Sequence, residues 1–196
     1  MMMQASPLKT EGAYTPTITT LARFAREAAK YPADKKASAV MACLAIVQQE
    51  HGHVPSAAED MVAGYLGMAP IAVHEVTTFY NMYNQQPVGA FKLNVCTNLP
   101  CQLRDGDKAL AHVCKVLSVE PYGTTADGLF TVQPSECLGA CADAPVVLVN
   151  DRQMLSFMSN ERLDELIEML KAQPSQTQHS HAQQSQAQQL KAHSNA

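Results

Sequence analysis

Apolar residues recur at helical spacing through the first half of the chain. Val40, Cys43, Leu44 and Val47 occupy positions i, i+3, i+4 and i+7, which lie on one face of a helix. Prolines and glycines interrupt similar patterns at short intervals, so residues 19–86 are predicted to form four helices with short connections. We therefore expect an all-helical bundle in this half of the protein.

Local signals indicate where these helices begin and end and which side chains they bury. Leu21 and Phe24 are expected to face inward from the first helix. Ser56, with Glu59 three residues later, matches a capping box at the start of the third helix. Pro87 is expected to close the fourth helix. Glycines suited to end the second and third helices are Gly52 and Gly67.

The pattern changes to that of strands at Phe91. The stretch FKLNVC, residues 91–96, alternates apolar and polar positions and ends on Cys96. Further strands are predicted at 128–133, 145–150 and 153–157, and further helices after Cys101 and at 159–171. The order β-α-β-β-β-α predicts an α/β (α+β) domain with a mixed sheet.

These patterns divide the chain into four segments. Residues 1–17 are polar and aperiodic, and we expect a disordered arm there. Residues 18–88 are predicted to form the helical bundle, and residues 89–172 the sheet domain. Residues 173–196 contain eight Gln and three His, a composition that cannot bury enough apolar surface to offset the entropy of ordering, so a disordered tail is expected.

Composition and charge limit the classes of function. Apolar residues make up 46% of the 196 residues and charged residues 16%, with a formal net charge of −4. This balance provides a core but no basic face, so nucleic-acid binding is not expected. No apolar run is long enough to span a bilayer, and the N-terminus has no recognisable signal or transit peptide. We therefore expect the chain to stay in a reducing compartment, where disulfides are disfavoured.

Four cysteines form two close pairs in the predicted loops. Cys96 and Cys101 are separated by four residues, and Cys137 and Cys141 by three. Thioredoxin-type redox pairs and most zinc knuckles have two-residue gaps, whereas a [2Fe–2S] cluster is wider and needs two thiolates for each iron. The spacing alone favours a [2Fe–2S] cluster over zinc but leaves zinc open.

The residues between the cysteines indicate how negative charge on a cluster would be stabilised. Gly139 and Ala140 leave room for backbone N–H groups to approach sulfur, and such hydrogen bonds help to set a cluster's reduction potential. We expect the N–H groups of residues 137–141 and of Thr97–Leu99 to fill this role.

Other candidate groups have simpler interpretations. Cys43 and Cys114 lie on apolar faces of predicted helices and are interpreted as core residues. His74 is a lone histidine on a helix and is interpreted as a packing or surface residue, and Arg104 and Asp105 as parts of a solvated loop. No G-x-G-x-x-G motif follows a strand, so no dinucleotide site is predicted on this chain.

Three longer motifs carry a family resemblance. The stretches VCTNLPCQLRDG, ECLGACADAPVVLVND and VHEVTTFYNMYNQQPVG resemble, in order and spacing, the small [2Fe–2S] subunit of respiratory NADH:quinone oxidoreductase (complex I). The resemblance covers residues 18–172 and leaves out the arm and the tail. Similar subunits occur in NAD-linked hydrogenases and formate dehydrogenases.

The resemblance implies a thioredoxin-like domain after the N-terminal helical bundle. It implies that Cys96, Cys101, Cys137 and Cys141 bind one [2Fe–2S] cluster. It also implies a flavoprotein partner that binds FMN and NADH, neighbouring iron–sulfur subunits, and a peripheral position on the cytoplasmic side of the bacterial inner membrane. The chain would exchange electrons with FMN inside a proton-translocating, quinone-reducing complex, without being catalytic alone. Alternatives are the equivalent subunit of a hydrogenase or formate dehydrogenase, or a free-standing ferredoxin.

Overall fold

A computed structural model describes residues 14–173. The chain divides into two compact units, one that ends at Pro87 and one that begins at Val88. The predicted arm and tail lie outside the described residues, except for Tyr14–Thr17 and Gln173.

The N-terminal unit contains four α-helices and one 3₁₀ helix among its described residues. The elements are α1 (Ile18–Ala28), the 3₁₀ helix (Ala33–Ala39), α2 (Val40–His51), α3 (Ser56–Leu66) and α4 (Pro70–Phe79). Thr17 caps α1, because its hydroxyl accepts a hydrogen bond from the Thr20 N–H at 3.0 Å. Gly52 and Gly67 end α2 and α3 with φ values of 80° and 70°, which confirms their predicted role.

The core of this unit lies between the inward faces of the helices. Phe24 and Leu44 are fully buried, which confirms the predicted faces of α1 and α2 at these positions. The prediction that Leu21 faces inward is wrong, since its side chain is 38% exposed. Thr20 is buried instead, because it lies four residues before Phe24 on the same face. Its hydroxyl donates a hydrogen bond to Glu50 at 2.7 Å.

The predicted capping box at the start of α3 is also wrong. Pro55 occupies the N-cap position, and Ser56 is the first helical residue without a capping hydrogen bond from its side chain. Glu59 is only 4% exposed and accepts a hydrogen bond from the Thr77 hydroxyl. The same carboxylate makes a 2.8 Å hydrogen bond with His74 Nδ1. Glu59 therefore joins α3 to α4, and His74, whose side chain is 50% exposed, is a surface residue that hydrogen-bonds to it, in agreement with the packing or surface role expected.

The fourth helix is shorter than predicted. It ends at Phe79 rather than continuing to Pro87. Beyond it, the Asn84 carbonyl accepts a hydrogen bond from the Val54 N–H at 2.7 Å, and the Asn84 N–H donates to the Gln48 side chain at 2.7 Å. These contacts use the backbone groups that a continuing helix would need.

The C-terminal unit is a mixed sheet with accompanying helices. Its described elements are β1 (Phe91–Cys96), α5 (Leu99–Gln102), α6 (Gly106–Leu117), β2 (Phe130–Ser135), a short 3₁₀ helix (Cys141–Asp143), β3 (Val147–Val149), β4 (Gln153–Leu155) and α7 (Asn160–Ala172). The strand order is β2-β1-β3-β4, in which β1 and β2 are parallel and the other two pairs are antiparallel. This confirms the α/β class and the mixed sheet. The one-turn helix α5 was not predicted.

The central strand β1 is buried on both faces. Leu93 and Val95 belong to the apolar core, while Lys92 is only 2% exposed and Asn94 only 6%. The Lys92 ammonium lies 2.6 Å from the Asp151 carboxylate, and the Asn94 amide donates to the same carboxylate at 2.8 Å. The alternation in FKLNVC therefore predicts the strand correctly, but its polar positions are not exposed to solvent.

The parallel pairing of β1 with β2 brings two loops to one edge of the sheet. Cys96, the last residue of β1, lies opposite Ser135, the last residue of β2. Because β3 is antiparallel to β1, it begins at this same edge with Val147. The loops formed by residues 97–105 and 136–146 therefore start from the sheet side by side.

We expect Asp151→Asn to destabilise the fold, because it leaves the buried Lys92 ammonium without this carboxylate. Removing one partner of a buried ion pair costs about 3 kcal/mol or more of unfolding free energy. Denaturant titration of the full chain measures the change, and adding Lys92→Met to the same chain should recover part of the loss. Glu168→Gln is the control, because it removes an exposed pair with Lys171 and should have a much smaller effect. Equal losses in the two single variants would contradict this expectation.

Candidate metal centre

The four cysteines singled out from the sequence come together at the edge where β1 and β2 end. Cys96 closes β1, and Cys101 lies in the one-turn helix α5. Cys137 and Cys141 lie in the loop 136–146 between β2 and β3. Cys96 and Cys101 pack against Leu138 and Ala140, which lie between the two cysteines of the second pair. The fold therefore gathers two cysteine pairs, distant in sequence, into one cluster.

Within this cluster the cysteines form two pairs, Cys96 with Cys101 and Cys137 with Cys141. The sulfurs of Cys137 and Cys141 are 3.7 Å apart, and Cys96 and Cys101 are buried together in one small apolar cluster. A metal ion that binds two thiolates tetrahedrally at about 2.3 Å separates their sulfurs by about 3.8 Å. The second pair thus already has the separation needed to chelate one ion. Across residues 14–173, no three or more His, Cys, Asp or Glu side chains are grouped as ligands of a single ion.

The two pairs differ in their exposure to solvent. Cys96 and Cys101 are each 1% exposed and pack with Ala144 and Val146, whereas Cys137 is exposed. Burial raises the pKa of the Cys101 thiol to about 11, and its hydrogen bond with Cys96 contributes further. At neutral pH this thiol is protonated in the metal-free chain, so its binding to metal as a thiolate must release a proton.

The prediction that backbone N–H groups donate hydrogen bonds to cysteine sulfur is correct in part. Gly139 adopts a φ of 80°, and its N–H donates to the Cys137 sulfur at 3.4 Å. The prediction for Thr97 is wrong, because its N–H donates to the Ser135 carbonyl at 3.0 Å. The hydrogen bonding between β1 and β2 continues one residue past Cys96 and uses this donor.

Gly106 is a site residue that the sequence reasoning missed. It begins α6, where the helix approaches the backbone of the first cysteine pair. A Cβ atom at this position would lie 2.7 Å from the Cys96 carbonyl oxygen and 2.9 Å from the Cys101 carbonyl oxygen. The only signal was a glycine just before a helical pattern, which does not distinguish a turn residue from a point of close contact.

The other two cysteines belong to the hydrophobic cores of the two units. Cys43 is fully buried in the helical unit, where burial raises its pKa to about 11. Cys114 packs against the core of the sheet unit. Both have the packing role that was expected of them.

The mixed sheet with its accompanying helices is an architecture of the thioredoxin-like class, and the cysteine pairs lie at one edge of it. Residues 24–171 match the family described as thioredoxin-like [2Fe–2S] ferredoxin. The match covers more than half of the chain, and the chain belongs to this family. The family membership confirms the resemblance seen in the sequence and assigns the chain to iron–sulfur electron transfer.

Similar curated proteins are named as subunits of NADH-quinone oxidoreductase. One of the NADH-quinone oxidoreductase subunits of Rhizobium meliloti is 41% identical over 145 residues, which cover 74% of this chain and 84% of that protein. NADH-quinone oxidoreductase subunit 2 of Thermus thermophilus is 37% identical over 144 residues, covering 74% of this chain and 80% of that protein.

A solved structure shares the fold at lower identity. An NAD⁺-reducing [NiFe]-hydrogenase in its H₂-reduced state matches with a TM-score of 0.56 and 23% identity, over 67% of this chain and 22% of the hydrogenase chain. This likeness supports the architecture alone. None of the helices between residues 14 and 173 has the length and apolar character needed to cross a bilayer.

We expect Gly106→Ala to disturb the centre, because its methyl group would push against the backbone of Cys96 and Cys101. Overpacking of this kind costs about 1–3 kcal/mol, and here it would displace two candidate ligands. Iron bound per chain should fall, as measured by metal analysis of the purified full chain. Gly64→Ala is the matched control, since Gly64 lies within α3 with nothing within 4 Å of an added Cβ. Unchanged iron content in Gly106→Ala would show that this contact does not position the ligands.

Proposed function

We propose that this chain holds one [2Fe–2S] cluster on Cys96, Cys101, Cys137 and Cys141 and acts as an electron-transfer subunit. The observation that carries the proposal is the gathering of these cysteines as two pairs at one sheet edge. Each iron of a two-iron cluster takes two protein thiolates, so two chelating pairs match its needs. The bound cluster would supply one-electron redox chemistry.

The residues of the chain would fix the centre and moderate its charge. Cys96 and Cys101 would anchor one side within the apolar packing around Val146. Four thiolates carry negative charge that resists an added electron, and hydrogen bonds to sulfur reduce that resistance. The Gly139 N–H, which points at the Cys137 sulfur, would serve in this way.

Electrons would be exchanged through the solvent-facing side of the centre. Cys137 is exposed there, and close to Cys101 in the sequence the apolar side chains of Leu99 and Leu103 are 63% and 79% exposed. Apolar side chains left in water next to a redox site suit a surface that a partner protein covers. This exposure supports a docked subunit over a free-standing carrier.

The proposed partner is the flavoprotein subunit of the NADH-oxidising part of a respiratory NADH:quinone oxidoreductase. Support comes from the relatives named as subunits of that enzyme, one of which this chain matches over 84% of its length. FMN and NADH would bind to the partner, since this sequence has no glycine-rich dinucleotide motif after a strand. Such a complex would hold the chain beside further iron–sulfur subunits on the cytoplasmic face of the bacterial inner membrane.

The purified chain should show visible charge-transfer absorption and, after reduction, the low-temperature EPR signal of a [2Fe–2S] cluster. Single serine replacements should weaken or abolish this signal at each proposed ligand: Cys96, Cys101, Cys137 and Cys141. Cys43→Ser and Cys114→Ser are the controls and should retain it, because both residues belong to the hydrophobic cores of the two units. A colourless chain with stoichiometric zinc would overturn the assignment.

Affinity purification of the tagged chain from its native cells tests the partner. We expect an FMN-containing flavoprotein together with the membrane subunits of a quinone-reducing complex, because the exposed apolar surface near Cys101 requires cover. Protein mass spectrometry identifies what co-purifies. Hydrogenase or formate dehydrogenase subunits in their place would redirect the assignment to those complexes. A chain recovered without stoichiometric partners would indicate a free carrier.

A further inference from the structure

Arg104 follows the first cysteine pair in sequence and reaches the loop that carries the second. Its backbone N–H donates to the Cys101 carbonyl at 3.0 Å, which fixes its main chain to α5. Its guanidinium Nη1 donates to the carbonyl oxygen of Ala142, the residue after Cys141. One side chain therefore bridges the two ligand-bearing loops.

The end of the second loop is held by backbone hydrogen bonds. Val146 accepts from the Cys96 N–H at 3.1 Å, and Asp143 accepts from the Phe157 N–H at 2.7 Å. These bonds anchor the residues that follow the second cysteine pair. They do not hold the second cysteine pair itself, whose position depends on other contacts.

Fewer hydrogen bonds from other parts of the unit hold the segment 136–142, which contains the second cysteine pair. Among the described residues, two side chains outside the loop donate hydrogen bonds to this segment. Asn98 donates to Glu136 at 3.2 Å, before Cys137, and Arg104 donates to Ala142, after Cys141. At the Cys141 end of the segment, the side chain that hydrogen-bonds it to the first loop is therefore that of Arg104.

The positive charge of Arg104 is not neutralised by an ion pair within residues 14–173. The neighbouring carboxylates have other partners, since Asp105 pairs with Lys108 at 2.8 Å and Asp107 accepts from Gln102 at 2.6 Å. A cation in the neighbourhood of an iron–sulfur cluster would favour the charged thiolates and the acceptance of an electron. Because Arg104 is exposed, solvent and salt weaken this charge effect, and the bridge between the loops is the larger contribution.

We propose that Arg104 is a positioning residue that holds the Cys141 end of the second loop against the first and thereby slows loss of the cluster. This inference rests on the proposed function, because it requires the cluster to be bound by the four cysteines. A ligand set is effective only when surrounding contacts hold it close to its binding geometry. The Arg104 side chain supplies such a contact across two loops that are distant in sequence.

The test compares cluster loss in the full chain and its Arg104 variants. With a chelator present, the visible absorbance of Arg104→Met should decay about five times faster than that of the unmodified chain, as expected for the loss of one ordinary, solvent-exposed hydrogen bond. Arg104→Lys keeps the charge and a donor and should restore most of the retention. The midpoint potential from EPR-monitored titration should become more negative in Arg104→Met and stay near its original value in Arg104→Lys.

Arg152→Met provides the matched control for a lost positive charge. Arg152 is exposed between β3 and β4, and its side chain makes no hydrogen bond or ion pair with the described residues. Equal cluster lifetimes in Arg104→Met and the unmodified chain would overturn the inference, as would equal acceleration by Arg152→Met. A clearly lower melting temperature of metal-free Arg104→Met than of the metal-free unmodified chain would also overturn it, because the residue would then support the whole fold. An unmodified chain without the [2Fe–2S] signal would refute the proposed function, and this inference with it.

Discussion

The candidate centre depends on the parallel pairing of β1 with β2. That pairing sets Cys96 opposite Ser135, so two residues far apart in sequence lie on adjacent strands, which are about 4.8 Å apart. Cys96 ends β1, and the two loops that follow the strands carry the other three cysteines. A shift of the register by one residue would turn the side chain of Cys96 to the other face of the sheet. The chemistry of the site is thus fixed first by backbone hydrogen bonds.

Contacts on several sides keep this pairing in place. Because Gly106 has no side chain, α6 can approach the carbonyl groups of Cys96 and Cys101. The first loop therefore packs directly against this helix. The Lys92–Asp151 ion pair joins β1 to the turn after β3. A buried ion pair is weak evidence for net stability, but it penalises arrangements that leave the ammonium without its carboxylate. These contacts therefore restrict the relative positions of the strands that carry the site.

Sequence periodicity was sufficient for most elements, because β1 and the amphipathic helices each bury a face that repeats with the period of the backbone. It failed where a distant partner decides the role of a residue. In the sequence Glu59 has the spacing of a capping residue, but in the fold its carboxylate forms hydrogen bonds with Thr77 and His74. Lys92 resembles an exposed strand residue until Asp151 provides a counter-charge. The cysteine spacing suggested a cluster, but the pairing of the thiols depends on which strands are neighbours.

The unequal burial of the two cysteine pairs is consistent with electron transfer to and from a partner. A centre enclosed on all sides would be well protected but distant from any redox partner. A centre exposed on all sides would lose the low-dielectric surroundings that help to set its potential. Here Cys101 is almost fully buried while Cys137 reaches the surface. In the proposed function the exposed loop would be the route for electrons, and it is also the least anchored part of the site, so a partner that covers it would also stabilise it.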